Sequence, residues 1–420
     1  MFSPSHQKSR RLPHRRLNRR DLLVGGAALA LSGAYPAPAE TLARQGHSPL
    51  KTEAAESGVP NLRSLLRMVP ANFIDVVESN GIDWQYADLD RQFASLGLHH
   101  DINGVDFENE PYLYGTYSLA LASSVYMFAL SDEVLTAIGF QPFGMDQTMV
   151  VGAPGRQLTL FRGGFDPDRL IYAWDEAGYE PYDTASGIPA WTIGLAGEFG
   201  PNHPIQGKLI SAFNNVAIIG DVLVYSPYME LLEMALSFVD SGGASMADDP
   251  VFGPLIQSLP HTTVSAIAAT SEQLLPDPVI ASEEQLEEFE SQLAQSDDRL
   301  GPMPAITGLV TAVNEGSTLV DFEWRPEGTP VAEPTADAGT SFVRMCTQSE
   351  EDAVQAATVA AGRWESLDSL VIKVPYLDLA EVVSHGAEGN VAMIDFIQLR
   401  SPGLWHELIM MSDVAPFAPS

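Results

Sequence analysis

The chain has 420 residues, 45% of them apolar, and 55 Asp or Glu against 22 Lys or Arg, for a net charge of −33. So large a negative excess disfavours nucleic acid and anionic membrane surfaces, both polyanions, as partners. Cys346 is the only cysteine. It excludes an intramolecular disulfide framework, and on the apolar stretch Phe342–Cys346 it reads as a small core residue rather than a nucleophile.

The N-terminus carries three arginine pairs, and only Arg19-Arg20 abuts an apolar run, Leu22–Leu31, broken by Gly25 and Gly26 and ended at Ser32-Gly33. That run is well short of the roughly 20 apolar residues a transmembrane helix needs. Ala37-Pro38-Ala39 supplies a small-residue cleavage site with Ala37 and Ala39 in the recognised positions. Residues 1–39 therefore read as an export signal, with retention as an anchor the alternative. The segment Asn18-Arg19-Arg20-Asp21-Leu22-Leu23-Val24 resembles a twin-arginine (Tat-type) signal, departing from that pattern at Leu22 and Val24. The resemblance implies the Tat export machinery as a partner, passage through the membrane in a folded state, and an extracytoplasmic location: secreted, periplasmic or on the cell envelope. Residues 1–39 hold seven Lys or Arg and one Asp, so the remainder carries −39. An acidic surface with a purpose and adaptation to a saline habitat both fit that charge.

Residues 40–59 read as a linker and 60–270 as a first α+β module. Trp84–Tyr86 is a strand and Leu89–Leu96 a helix. Asp132 and Glu133 open another helix that Gly139 ends. Gln147–Gly152 and Leu158–Phe161 are strands joined by a Pro-Gly turn. Asp166 is placed to cap a helix with Pro167 at its first position, Leu170, Ala173, Trp174 and Ala177 on one stripe, and Gly178 beyond its end. Ile188–Ile193 returns as a strand. Val216–Ile219 and Val222–Tyr225 flank Gly220-Asp221, a two-residue loop suited to a type II′ turn. A helix over Met229–Val239 and a strand over Thr263–Ala268 complete the module.

Residues 271–305 read as an acidic helical connector. Ser282 with Gln285 forms a capping box, and Leu286, Phe289 and Leu293 make a narrow apolar stripe. Residues 306–412 form a second module. Ser341–Cys346 is a strand, Ser349 caps a helix running to Trp364, and Leu370–Val374, Asn390–Ile397 and Leu404–Met411 are strands; 413–420 is a tail. Hairpins mixed with single helices predict an α+β fold with mixed or antiparallel sheets, in two related-looking modules. In general make-up the mature part resembles exported bacterial proteins with repeated strand–helix modules, a resemblance that assigns no activity and no site residue.

Linear signatures of chemistry are missing: no G-x-G-x-x-G, no G-x-x-x-x-G-K-[ST], no G-x-S-x-G, no H-E-x-x-H and no cysteine pair. No cofactor is therefore evident. The one metal candidate lies between His99 and Glu110, where Asp101, Asn103, Asp106 and Glu108 offer oxygen ligands to a hard cation such as Ca²⁺. Gly104 falls fourth from Asp101 rather than sixth, so the loop is no EF-hand, and a solvated acidic loop is the plainer reading. His203, on a turn, and His385, near Glu388 after a helix, are each either loop residues or catalytic ones. Three functions follow. The first is a non-enzymatic exported protein binding a small molecule or an envelope partner. The second is an exported hydrolase with two carboxyls about 5–10 Å apart. The third is a Ca²⁺-stabilised surface protein.

Overall fold

The computed structural model describes residues 59–77, 82–95, 132–153, 155–200, 203, 205–206, 211–270, 274, 282–315, 323–324, 330–331, 340–369, 373–400, 402–410 and 413–418. Arg19, Arg20, Ala37, Ala39, Asp101, Asn103, Asp106 and Glu108 lie outside them.

Local sequence signals place many elements. The strands are β1 Trp84–Asp88, β2 Gln147–Val151, β3 Leu158–Arg162, β4 Glu180–Asp183, β5 Pro189–Thr192, β6 Asn215–Ile219, β7 Val222–Ser226, β8 Thr263–Thr270 and β9 Ile306–Asn314. A small ribbon, β10 Glu323–Trp324 and β11 Pro330–Val331, precedes β12 Thr340–Thr347, β13 Ala380–Glu388 and β14 Val391–Gln398. The helices are α1 Pro60–Leu66, α2 Phe73–Val77, α3 Leu89–Ser95, α4 Asp132–Ile138, α5 Pro167–Glu176, α6 Met229–Ser241, α7 Phe252–Gln257, α8 Glu283–Leu300, α9 Glu350–Trp364 and α10 Pro402–Met410.

The Asp166 carboxylate accepts from the amides of Asp168 and Arg169, and the Ser349 hydroxyl accepts from that of Asp352, so α5 and α9 start at their expected caps. Gly220 has a φ of +62° while Asp221 stays out of the left-handed region, as a type II′ turn between β6 and β7 requires.

Twelve strands form one sheet in the order β13-β14-β12-β9-β8-β1-β2-β3-β7-β6-β5-β4, with every neighbouring pair antiparallel. The α+β expectation holds, in its antiparallel form. β8 pairs with β9 from Thr263↔Asn314 to Thr270↔Gly308, so residues 60–270 and 306–412 contribute to the same sheet. Both outer strands are blunted against further pairing. β4 carries Pro181 and two acids, and β13 has a register shift that leaves Val383 as an extra residue.

Side-chain alternation gives the sheet two faces. On the front, Trp84, Tyr86, Met149, Leu160, Val224 and Val310 meet α1, α2, α6 and α7 in one apolar cluster. On the back there are two clusters. Phe161, Val216, Leu223 and Tyr225 pack under α4 and α5. Ile267, Leu309, Val343, Met345, Ile394 and Phe396 pack under α8, α9 and α10. In α8, Phe289 and Leu293 of the anticipated stripe are buried in that second cluster.

Several elements depart from expectation. Of the strand expected over Leu404–Met411, the described residues Leu404–Met410 belong to a helix, α10; a short apolar run has no decisive period, and Pro402 suits a first helical turn. β9 and β13 were not anticipated. β9 is buried at seven of its nine positions and so lacks the alternation that marks a half-exposed strand. β13 replaces the helix expected before His385, which lies on that strand. Of Leu370–Val374, Lys373 and Val374 are described and belong to no strand.

At the sheet's centre, Asp88 ends β1 and caps α3. Its carboxylate accepts from the Arg91 amide at 3.3 Å, the Asn61 side-chain amide at 3.0 Å and the Tyr86 hydroxyl at 3.1 Å. Burial raises its pKa, and these donors oppose the shift. Asp88→Ala removes a cap and strands the buried Tyr86 hydroxyl and the half-buried Asn61 amide, so it should cost roughly 2–4 kcal/mol in urea unfolding. A loss within a few tenths of a kcal/mol would mean that these bonds do not form.

Candidate functional site under helix α10

The back face changes character between its two apolar clusters. Antiparallel register sets side chains in rows across the strands. One row runs Thr148, Ala87, Ser265, Val313, Ser341 and Phe396 across β2, β1, β8, β9, β12 and β14. The next places Thr311 between Ile267 and Val343. Gln398 follows Phe396 on the same face of β14. Polar side chains thus interrupt an apolar surface, Thr311 and Gln398 lying on opposite sides of the Ser265–Phe396 row, and α10 meets that middle row at Ser265 and Phe396. The Trp405 ring lies 5.1 Å from that of Phe396, and His406 Nε2 lies 2.6 Å from Ser265 Oγ. Ser265, Thr311, Ser341, Gln398, Trp405 and His406 are all at least 96% buried.

The Ser265–His406 contact has the components of a nucleophile and its base, but the protons run the wrong way. Ser265 Oγ also lies 2.8 Å from the Tyr86 carbonyl oxygen, which can only accept. The single hydroxyl proton is used there, so the bond to His406 takes its proton from imidazole Nε2. His406 is then a donor to Ser265 and not its base, and its acceptor atom is Nδ1. Burial lowers the His406 pKa to about 3, which keeps the ring neutral.

His406 Nδ1 has no hydrogen-bond partner, nor do Thr311 Oγ1, Ser341 Oγ, Trp405 Nε1 or Gln398 Oε1 and Nε2. A buried polar group without a partner costs about 1–3 kcal/mol. Six such atoms together rival the roughly 5–15 kcal/mol net stability of a whole domain. Such atoms occur elsewhere too, Trp84 Nε1 in the front apolar cluster, Gln147 Oε1 and Ser296 Oγ among them; the six here lie on three rows of the back face and on α10, which packs against it. None of the six residues is charged. Arg344, also on β12, belongs to the other face and pairs with Asp395 at 2.8 Å.

The histidines singled out in the sequence are not brought to this place. His203 Nδ1 accepts from the amides of Ile205 and Gln206, so Nε2–H donates to the Ala177 carbonyl at 2.7 Å. It ties a loop to the end of α5. His385 is exposed on the outermost strand. Cys346 is buried, with the Asn390 side-chain amide 3.4 Å from its sulfur. Among the described residues, no three His, Cys, Asp or Glu are grouped to hold a metal ion, and no helix is long and apolar enough to cross a membrane. No linear signal joins the seam residues, which span Ser265 to His406 in the chain. The Trp405-His406 pair inside an apolar run was the one local signal available.

No protein-family model and no curated protein matches the chain. Among solved structures, crystal form I of TP0453 is similar over 82% of this chain and 97% of its own, at 9% identity and a TM-score of 0.34.

Proposed function

We propose that this is an exported, non-catalytic binding protein that holds a small molecule in the polar seam beneath α10. Export rests on Arg19-Arg20, the short apolar run after them and Ala37-Pro38-Ala39. Binding rests on one observation: six polar atoms without protein partners, on five buried side chains, three on successive rows of the back face and two on α10, which packs against it. The proton arrangement at Ser265 supports a binding role over a nucleophilic one, since the hydroxyl is committed to a main-chain carbonyl. A bound molecule that pairs with these atoms adds stability that grows with the logarithm of its concentration over its Kd.

The test compares the natural protein with the triple variant Thr311→Val, Ser341→Ala, Gln398→Leu, which removes polar atoms while nearly keeping shape. Denaturing the folded, purified natural protein should release a small molecule in near-stoichiometric amount, detectable by mass spectrometry, and the variant should release none. Stripped of ligand, Thr311→Val alone should be about 1 kcal/mol more stable than the natural protein, because an unpaired hydroxyl is gone. Equal release from both proteins, or release from neither, would remove the basis for this site.

A further inference from the structure

We infer that α10 is an acid-opened strap: tied at both ends and held to the sheet in its middle by one histidine hydrogen bond, it lifts from the back face when His406 gains a proton. This goes beyond the binding reading above and stands without it. Before α10, the Leu399 amide donates to the Leu379 carbonyl at 2.9 Å, and Arg400 Nε donates to the Asp378 carbonyl at 3.3 Å. After it, the Asp413 carboxylate accepts from the Tyr376 hydroxyl at 2.6 Å and the Ser369 hydroxyl at 2.5 Å, and Arg363 Nη1 donates to the Ala418 carbonyl at 2.7 Å. Between these ties, among the described residues, the one hydrogen bond from α10 to the sheet runs from His406 Nε2 to Ser265 Oγ. Trp405, Leu408 and Ile409 add apolar contact, and Trp405 Nε1 adds no bond. A second ring proton has to go to Nδ1, which is buried and has no acceptor beside it. The closed arrangement therefore has no place for the charged ring, and burial holds its pKa at about 3. Neighbouring charges do not offset that burial. β8 and β9 carry no titratable residue, while Tyr86, Asp88, Arg344, Cys346 and Asp395 of β1, β12 and β14 belong to the other face. Arg363 of α9 is engaged by Asp297 and the Ala418 carbonyl, and Asp413 by Tyr376 and Ser369; on α10 itself the other titratable residue is Glu407. Once α10 lifts, Nδ1 meets water and the ring titrates near 6.5. The closed form thus keeps its full advantage above pH 6.5 and loses it as pH falls toward 3.

The experiment is amide hydrogen exchange of the full chain, read by mass spectrometry at pH 7 and pH 4.5 and corrected for the intrinsic effect of pH. Protection of the α10 amides should fall about 50- to 100-fold between those values, the response of one group that binds its proton far more weakly in the closed form. At pH 4.5 the α10 amides should be protected at least about 100-fold less than those of α9. They should also be nearly insensitive to urea below the unfolding transition, because lifting a strap exposes little surface and unfolding the chain exposes much. His406→Gln, which keeps a donor for Ser265 and cannot be charged, should reduce the fall to less than about threefold. Ser265→Ala, which cuts the bond and keeps the histidine, should lower α10 protection about tenfold at both pH values and leave the fall between them in place. Folding of both variants is checked by circular dichroism. Equal protection of α10 and α9 with the same urea dependence would overturn the strap, since α10 would then open only when the whole chain unfolds. A pH-dependent fall that persists in His406→Gln, or α10 protection untouched by Ser265→Ala, would overturn the role given to the histidine.

Discussion

Trp364→Ala should lower the unfolding free energy by about 3–5 kcal/mol, the largest loss expected from one substitution in this chain. Trp364 ends α9, is 2% exposed, and is the hub of the back-face aromatic cluster. Its ring lies 4.9 Å from Tyr376, 4.7 Å from Phe396, 5.2 Å from Trp405 and 5.9 Å from Phe417. Its indole N–H donates to the Ala380 carbonyl at 2.7 Å, joining α9 to the first residue of β13. Truncation therefore opens a cavity walled by four rings and strands a buried acceptor. Both terms have the same sign. Trp364→Phe keeps most of the ring contact and should lose much less. In urea the Ala variant should show a lower midpoint with an unchanged slope. A midpoint within experimental error of the natural protein would mean that the rings do not pack as described. Because Trp405 leans on Trp364, the same substitution should also loosen α10 and weaken binding beneath it.

Acid should destabilise the protein through His406. In the unfolded chain its imidazole titrates near 6.5, whereas burial holds the folded value at about 3. Between those values the unfolded state binds the extra proton, so this contribution is complete above pH 6.5 and is lost as pH falls toward 3. Its ceiling is about 5 kcal/mol, taking about 1.4 kcal/mol for each tenfold step in proton affinity. Asp88, whose pKa is raised by burial, has the opposite sign and is relieved by protonation. Subtraction isolates the histidine: the stability difference between natural protein and His406→Gln should shrink steadily from pH 7 to pH 4. A difference that stays flat over that interval would show that His406 is charged in the folded state or exposed to water.

Elements with local punctuation could be read from the sequence. Asp166-Pro167 and Gly178 bracket α5, and Gly220-Asp221 sets the β6–β7 hairpin, because capping and turn geometry depend on residues within a few positions. Elements shaped by tertiary burial could not. β9 joins the two halves of the sheet yet reads as an undistinguished run, since burial on both sides erases its alternation. In α10 the sequence Leu404-Trp405-His406-Glu407-Leu408-Ile409 fits either period over so short a length, and packing of Trp405 against Trp364 and Phe396 decides for helix. The candidate site was the least legible part. Ser265, Thr311 and Ser341 are ordinary strand residues, and only the pairing of β8, β9 and β12 sets them in adjacent rows. A neutral polar site also leaves no charge cluster or motif to notice. The density of acids, by contrast, marks Asp101–Glu108 in the sequence, outside the described residues.

The most direct test of the central claim is nitrogen-15 NMR of the His406 ring, with and without the small molecule released from the natural protein. At pH 6 the ring should be a neutral imidazole with its proton on Nε2 and an unprotonated Nδ1, and the Nδ1 resonance should shift when that molecule is added. A proton on Nδ1, a doubly protonated ring at pH 6, or an Nδ1 resonance indifferent to the added molecule would contradict it.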